Sequence, residues 1–289
     1  MAKAAAAKRG APRRQPSLRQ PPLRALLLLL LAGALLAPDA VAAADLHPRV
    51  VGGTEAPPSA FPWVASLQAD YHLCGASLIS PTWVLTAAHC MNLGFPPFIV
   101  LGDTQADGAA ATRLKIRMNQ TVVHPDFNAH TLENDIALVQ LREPVTTIQP
   151  ISLVNTDALE SPGVFATVVG WGSQSETGET SKKLHFGELP LVKFGVCRRA
   201  MQYSDRKVTR DSLCAGNKNG GLDACYGDSG GPLFAPGKDG TPELLGIVSW
   251  GIGCARPNYY GVYTRVRGYI DWIDSFVTDR PLSWVNSVF

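Results

Sequence analysis

The stretch DACYGDSGGP, residues 223–232, sets three glycines and a proline around a single serine, Ser229. Glycine reaches backbone angles closed to other residues and lets a ligand approach the main chain, so the run suits a tight turn and a presented nucleophile equally well. The rest of the chain must decide between them.

With 289 residues, 46% hydrophobic and 17% charged, the chain can bury one large core or two smaller ones. The first 24 residues hold seven Lys or Arg and no acid, and the apolar run ALLLLLLAGALLA follows from Ala25 to Ala37. That run is 13 residues long before Pro38 and Asp39 interrupt it, short of the roughly 20 needed to cross a bilayer. Residues 1–43 therefore read as a secretory signal and 44–49 as a short propeptide, ahead of one domain over 50–289. A signal-anchored form and a twin-arginine route through Arg13 and Arg14 are the alternatives; all lead outside the cytosol.

Residues 50–289 keep 18 basic and 22 acidic side chains, a net charge of −4. Nothing in that balance suits nucleic acid or a membrane surface. Six cysteines, Cys74, Cys90, Cys197, Cys214, Cys225 and Cys254, make an even count for an oxidising compartment. Three disulfides are expected, and sequence alone permits about 15 pairings. No CxxC pair is present, so no zinc is expected.

Short apolar or alternating runs (FPWVASL, ASLIS, WVLTAA, FIVLG, DIALVQL, FATVVGW, ELLGIVSW, GVYTRV) recur between Gly, Pro, Asn and Asp clusters. That rhythm predicts an all-β sandwich or barrel set. Only the end reads as helix, with Tyr269, Trp272, Ile273, Phe276 and Val277 on one face.

LTAAHC closes one strand-like run at His89, and ENDIALVQL opens another at Asp135. A hydroxyl is a poor nucleophile at neutral pH; it needs an imidazole to take its proton and a carboxylate to orient that imidazole. Singly, each residue has an ordinary structural reading. Together with RVVGG, TAAHC, NDIAL, GWG, GDSGGPL, SWG and GVYTRV, the chain resembles the serine endopeptidases of the chymotrypsin and trypsin family over residues 50–267. The order His89, Asp135, Ser229 is the order of that family's triad.

The resemblance implies two six-stranded antiparallel β-barrels, roughly Val50–Asn155 and Thr156–Arg267, with a C-terminal helix. It implies an oxyanion hole from the N–H groups of Gly227 and Ser229, a side chain at 227 obstructing the substrate. Cleavage after Arg49 would free the Val50 ammonium to pair with Asp228, so the chain would be made as an inactive precursor. Disulfides are implied for Cys74 with Cys90, Cys197 with Cys214, and Cys225 with Cys254. Two bridges common in relatives are missing: Ala166 and Ala235 stand at one, Ala56 and about Phe186 at the other.

Asp223 lies where trypsin-like members carry the acid at the base of the primary pocket; Ala224 follows it and Gly251 and Gly261 form the walls. Cleavage after Arg, and less well after Lys, is implied because Ala224 offers no hydroxyl to an ammonium. Ser249 would support Asp135, while Ser249, Trp250 and Gly251 would hold the substrate backbone as an added strand. The loop from Asp103 to Arg113 aligns with the family's calcium loop, yet Arg113 stands where a carboxylate is expected, so no calcium is expected. Tyr260 marks relatives that hold sodium on nearby backbone carbonyls, and a sodium ion there is expected on that ground. NQT at Asn119 is a glycosylation sequon. Expected partners are peptide or protein substrates with Arg or Lys at the cleavage site, an activating trypsin-like protease and serine protease inhibitors. A monomer is expected; the alternative is an inactive homologue serving as a binding module.

Overall fold

Three residues, Ala69 to Tyr71, separate two strands of opposite direction, β2 (Val64–Gln68) and β3 (His72–Leu78), and such a spacing forces an antiparallel hairpin. From this hairpin the computed structural model builds outward; it describes residues 51–93, 98–108 and 110–280. With β4 (Trp83–Thr86), β5 (Phe98–Leu101), β6 (Leu114–Val123) and β7 (Ala137–Leu141), the hairpin closes a barrel in the order β2-β3-β4-β7-β6-β5. β2 and β4 are buried along their whole length, as closure on one face and packing on the other require. β6 is instead mostly exposed and polar, which is why no apolar run announced it.

The second body is one sheet of eight strands. Its members are β1 (Thr54–Glu55), β8 (Ser152–Leu153), β9 (Phe165–Gly170), β10 (His185–Pro190), β11 (Ser212–Ala215), β12 (Pro232–Pro236), β13 (Pro242–Trp250) and β14 (Gly261–Arg265). The path runs β1-β10-β9-β12-β13-β14-β11, and β8 pairs in parallel with β13. Two strands more than expected are thus present, and closure rests on a bridge between Leu191 and Ala215 rather than on a full ladder. Val192 N–H donates to the Cys214 carbonyl at 2.8 Å beside that bridge.

Of the missing disulfide positions, Ala166 and Ala235 sit on the paired strands β9 and β12. Ala56 lies against Leu184, whereas Phe186 faces Thr54, so the approximate assignment of Phe186 is off by two residues. Helix α1 (Phe194–Ala200), unannounced because Gly195 and Val196 are weak helix formers, follows β10. The terminal helix α2 (Ile270–Asp274) is shorter than its apolar pattern suggested: Tyr269, Ile273 and Val277 are buried, and Phe276 is 38% exposed.

One hydrophobic core joins both bodies. Leu67, Leu78 and Leu85 of the barrel share a cluster with Val169, Phe234 and Ile247 of the sheet. Phe61 meets Phe186 at 5.3 Å and Phe234 at 5.6 Å between ring centroids, edge to face. Phe234→Ala at such a site costs about 3–5 kcal/mol. A shared core of this kind fixes the barrel against the sheet, and with it any residues brought together at their seam.

Candidate active site

Thr86 of β4 pairs with Ala137 of β7 in antiparallel register. Three residues past Thr86 comes His89, and two before Ala137 comes Asp135, so both emerge at one end of the strand pair. The chain after β4 turns into a short 3-10 helix, Ala88–Leu93, and the Cys74–Cys90 disulfide ties that turn to β3. His89 Nδ1 stands 2.7 Å from Asp135 Oδ2, and the His89 N–H donates to Asp135 Oδ1 at 2.9 Å. Asp135 is fully buried while the His89 side chain keeps 25% of its surface open. With its carboxylate held at Nδ1, the ring presents Nε2 outward.

The sheet contributes from across the seam. Ser249 Oγ donates to Asp135 Oδ2 at 2.5 Å, and Thr264 Oγ1 donates to the Asp135 carbonyl at 2.7 Å. Gly75 N–H donates to the Ser229 carbonyl at 2.7 Å, pinning the serine loop to β3. Gly230 is required next to it: φ is +78°, and a Cβ would come within 2.3 Å of Thr86 Oγ1. His89, Ser229, Ser249, Trp250 and Gly251 line one open cleft of about 650 Å³. Among the described residues no hydrogen bond joins the Ser229 hydroxyl to the His89 ring.

Asp223, Ala224 and Gly261 line the same cleft. Asp223 Oδ2 accepts from Ala255 N–H at 3.1 Å, and its other oxygen is buried without a hydrogen-bond partner. Burial pushes this carboxyl up to about 7, against the pull of the Ala255 and Ala224 amides, with Asp228 adding to the rise. A buried, half-satisfied acid at the floor of a cleft is a place for a cation. A Cβ at Gly261 would lie 2.8 Å from the free Asp223 oxygen, so glycine keeps that approach open.

Asp228 lies beneath, fully buried, accepting from Gly172 N–H at 2.7 Å and Cys225 N–H at 2.9 Å. Burial raises it to about 6 despite those donors. Val50 and Arg49 fall outside the described residues. Val51, the next residue, bridges to Asp223, whose N–H donates to the Val51 carbonyl at 3.1 Å.

Gly227 has φ +96°, and a Cβ there would meet Thr180 Cγ2 at 2.8 Å. The loop at Thr180 thus sets a demand for glycine at this position. Its carbonyl takes a hydrogen bond at 2.7 Å from His72 Nε2, a residue that sequence reasoning missed. That contact sets the tautomer: Nδ1 accepts from Ser66 Oγ at 2.6 Å, and burial holds His72 below the usual histidine range, against the raising effect of the Gly227 contact. Gln68 Nε2 donates to Ser66 Oγ at 2.9 Å and Arg113 Nη2 to Gln68 Oε1 at 3.1 Å. One unbroken chain of hydrogen bonds therefore runs from Arg113 to the Gly227 peptide.

Arg113 also donates to the carbonyls of Gly108 at 2.8 Å and Ala106 at 3.4 Å, and stands 3.6 Å from Asp103. Carbonyl and carboxylate oxygens of this loop are thus met by a guanidinium. Cys74, His89 and Cys90 lie close together, but both sulfurs are in a disulfide and offer no thiolate. The structure likewise joins Cys197 to Cys214 and Cys225 to Cys254. Asn119 is exposed on β6, its amide donating to Gln140 Oε1 at 2.6 Å. Tyr260 is buried. Ser204 and Arg206, from the loop after α1, also line the cleft and were not foreseen.

The sequence profile of the trypsin family matches residues 50–273. Serine protease 56 of Homo sapiens is 40% identical over 234 residues, covering 78% of this chain and 38% of that protein. The suppressor of tumorigenicity 14 protein homolog of Bos taurus is 40% identical over 240 residues, covering 78% and 28%. Coagulation factor XII of Bos taurus is 41% identical over 242 residues, covering 78% and 39%. The chain thus spans well under half the length of these curated relatives. With most of the chain matched by the profile, the protein belongs to the trypsin family of serine proteases.

Proposed function

We propose that this protein is a secreted serine endopeptidase, made as an inactive precursor, that hydrolyses peptide bonds after Arg and less readily after Lys. The observation that carries the reading is the buried Asp135 carboxylate, held by His89 on one side and Ser249 on the other, in one cleft with Ser229 and Asp223.

In this mechanism a cationic substrate side chain enters between Gly251 and Gly261 and pairs with Asp223, while the backbone of Ser249, Trp250 and Gly251 aligns the peptide as an added strand. His89 Nε2 takes the proton of Ser229 as its oxygen attacks the carbonyl carbon; Asp135 stabilises the resulting imidazolium. The N–H groups of Gly227 and Ser229 receive the developing oxyanion, each donor worth roughly 10²- to 10³-fold in rate. The protonated His89 then delivers its proton to the leaving amine, and water repeats the sequence on the acyl-enzyme.

Cleavage after Arg49 supplies the switch. A fully buried carboxylate is costly unless a cation meets it, and Asp228 is fully buried. The freed Val50 ammonium provides that cation, and Val51 beside Asp223 supports the placement. An activating trypsin-like protease and serine protease inhibitors are the partners of such a precursor, acting on a monomer outside the cell. No calcium is needed because Arg113 fills the loop; a sodium ion on carbonyls near Tyr260 is the one ion proposed.

Matched peptide amides ending in Arg, Lys or Phe, assayed on the chain cleaved at Arg49, test the reading. Cleavage after Arg, abolished by Asp223→Ser, supports it. Equal cleavage after Phe, or undiminished Arg cleavage by the variant, would remove the pocket assignment.

A further inference from the structure

Residues 193–210 carry six basic side chains, Lys193, Arg198, Arg199, Arg206, Lys207 and Arg210, and one acid, Asp205. The rest of residues 50–289 holds 12 basic against 21 acidic residues, so positive charge is concentrated here against the balance of the domain. Helix α1 and the loop after it fold this segment around an open groove of about 790 Å³. Arg198, Arg199, Arg206 and Lys207 line the groove, and no carboxylate does. Lys207 is bridged to Glu133 at 3.2 Å. Among the described residues, Arg198, Arg199 and Arg206 form no ion pair. All three are exposed.

We propose that this groove binds a linear sulfated polysaccharide. Three unpaired guanidinium groups on one surface repel one another unless an anion lies between them, and their planar forks suit the oxygens of sulfate. A polysaccharide fits better than an acidic peptide because the groove offers little apolar anchorage. Met201 is buried, Val208 is half-buried, and Phe194 beside the groove is already covered by Arg198 and Arg210 at 5.6 and 4.6 Å from its ring. The groove also runs into the substrate cleft, since Ser204 and Arg206 line both. A bound chain therefore lies beside an occupied active site, where it can hold a substrate that binds the same polymer.

Binding of the uncleaved chain to immobilised heparin tests this independently of whether the cleft hydrolyses peptides. The parent is retained at about 0.15 M salt, near-physiological ionic strength. In the double variant Arg198→Ala, Arg199→Ala the slope of log affinity against log salt falls by about 2, one for each lost contact with the polyanion. If the double variant is not secreted, Arg199→Ala alone lowers the slope by about 1. The proteins compared are otherwise identical, so the difference reads the groove alone. As a control, Lys115→Ala with Arg117→Ala alters a separate basic hollow beside Phe98 and leaves retention unchanged. No retention of the parent, or an unchanged slope in the double variant, would overturn the proposal. Competition by polyglutamate as strong as by heparin would overturn the assignment to a polysaccharide.

Discussion

Ser249 of β13 reaches across the seam between the two bodies to the same Asp135 oxygen that faces His89, at 2.5 Å and 2.7 Å respectively. The buried carboxylate is thus shared between a residue of its own barrel and one of the sheet. Ser249→Ala removes a hydrogen bond to a charged group while leaving the His89 contact in place. Such a loss is worth about 1.5 to 3 kcal/mol at most, so kcat should fall roughly tenfold to a hundredfold. KM for a short Arg peptide should change little. An unchanged kcat would show that the hydroxyl does not position Asp135.

Asp223 gives the cleft a pH signature. Burial raises its carboxyl to about 7, so below that value the pocket floor is mostly neutral and above it charged. A cationic ligand needs the charged form. Affinity for a small aryl amidine should therefore fall as pH is lowered through about 7, and binding below it should release close to one proton. Calorimetry in buffers of different ionisation heat measures both. Affinity flat from about pH 5 to 8 would contradict the raised carboxyl.

Ala224 should set the choice between the two basic residues. An ammonium has three donors and meets one free oxygen of Asp223, whereas a guanidinium can use a fork. The expected ratio of kcat/KM for matched Arg and Lys peptides is about tenfold or more, the equivalent of one unmade charged hydrogen bond. Ala224→Ser should narrow it by improving Lys. A serine variant no better on Lys would remove this role from position 224.

Arg113 should act as a built-in cation for its loop. Arg113→Glu withdraws donors from Gly108, Ala106 and Gln68 and sets a carboxylate near Asp103. Loss of charged hydrogen bonds worth about 1.5–3 kcal/mol should lower Tm by roughly 3–10 °C for a domain of this size. Millimolar calcium should restore the variant and leave the parent unmoved. A parent stabilised by calcium would reverse the interpretation.

Much of this architecture was legible in the sequence, because its information is local. His89 and Asp135 end or begin apolar strands, and those strands pair at Thr86 and Ala137. Ser229 announces itself through glycines that the packing of its loop requires. What escaped notice depends on distant partners or on polar surfaces. His72 is one histidine before a cysteine until the Gly227 carbonyl, 155 residues on, reaches it. β6 buries so little that its alternation carries no apolar signal. The edge strands β1 and β8 are two residues each, too short for any periodicity. Arg206 reaches the cleft from a loop whose course no pattern fixes.

Labelling by a fluorophosphonate before and after cleavage at Arg49, with the modified residue mapped by mass spectrometry, tests the central claim most directly. The uncleaved chain and Arg49→Gln should stay unlabelled, because Asp228 lacks its cation. After cleavage Ser229 alone should be labelled, and an aryl amidine should suppress the reaction. Asp228→Asn should remain unlabelled even when cleaved. A cleaved parent chain that takes no label at Ser229, or an uncleaved one that reacts as fast, would contradict the account.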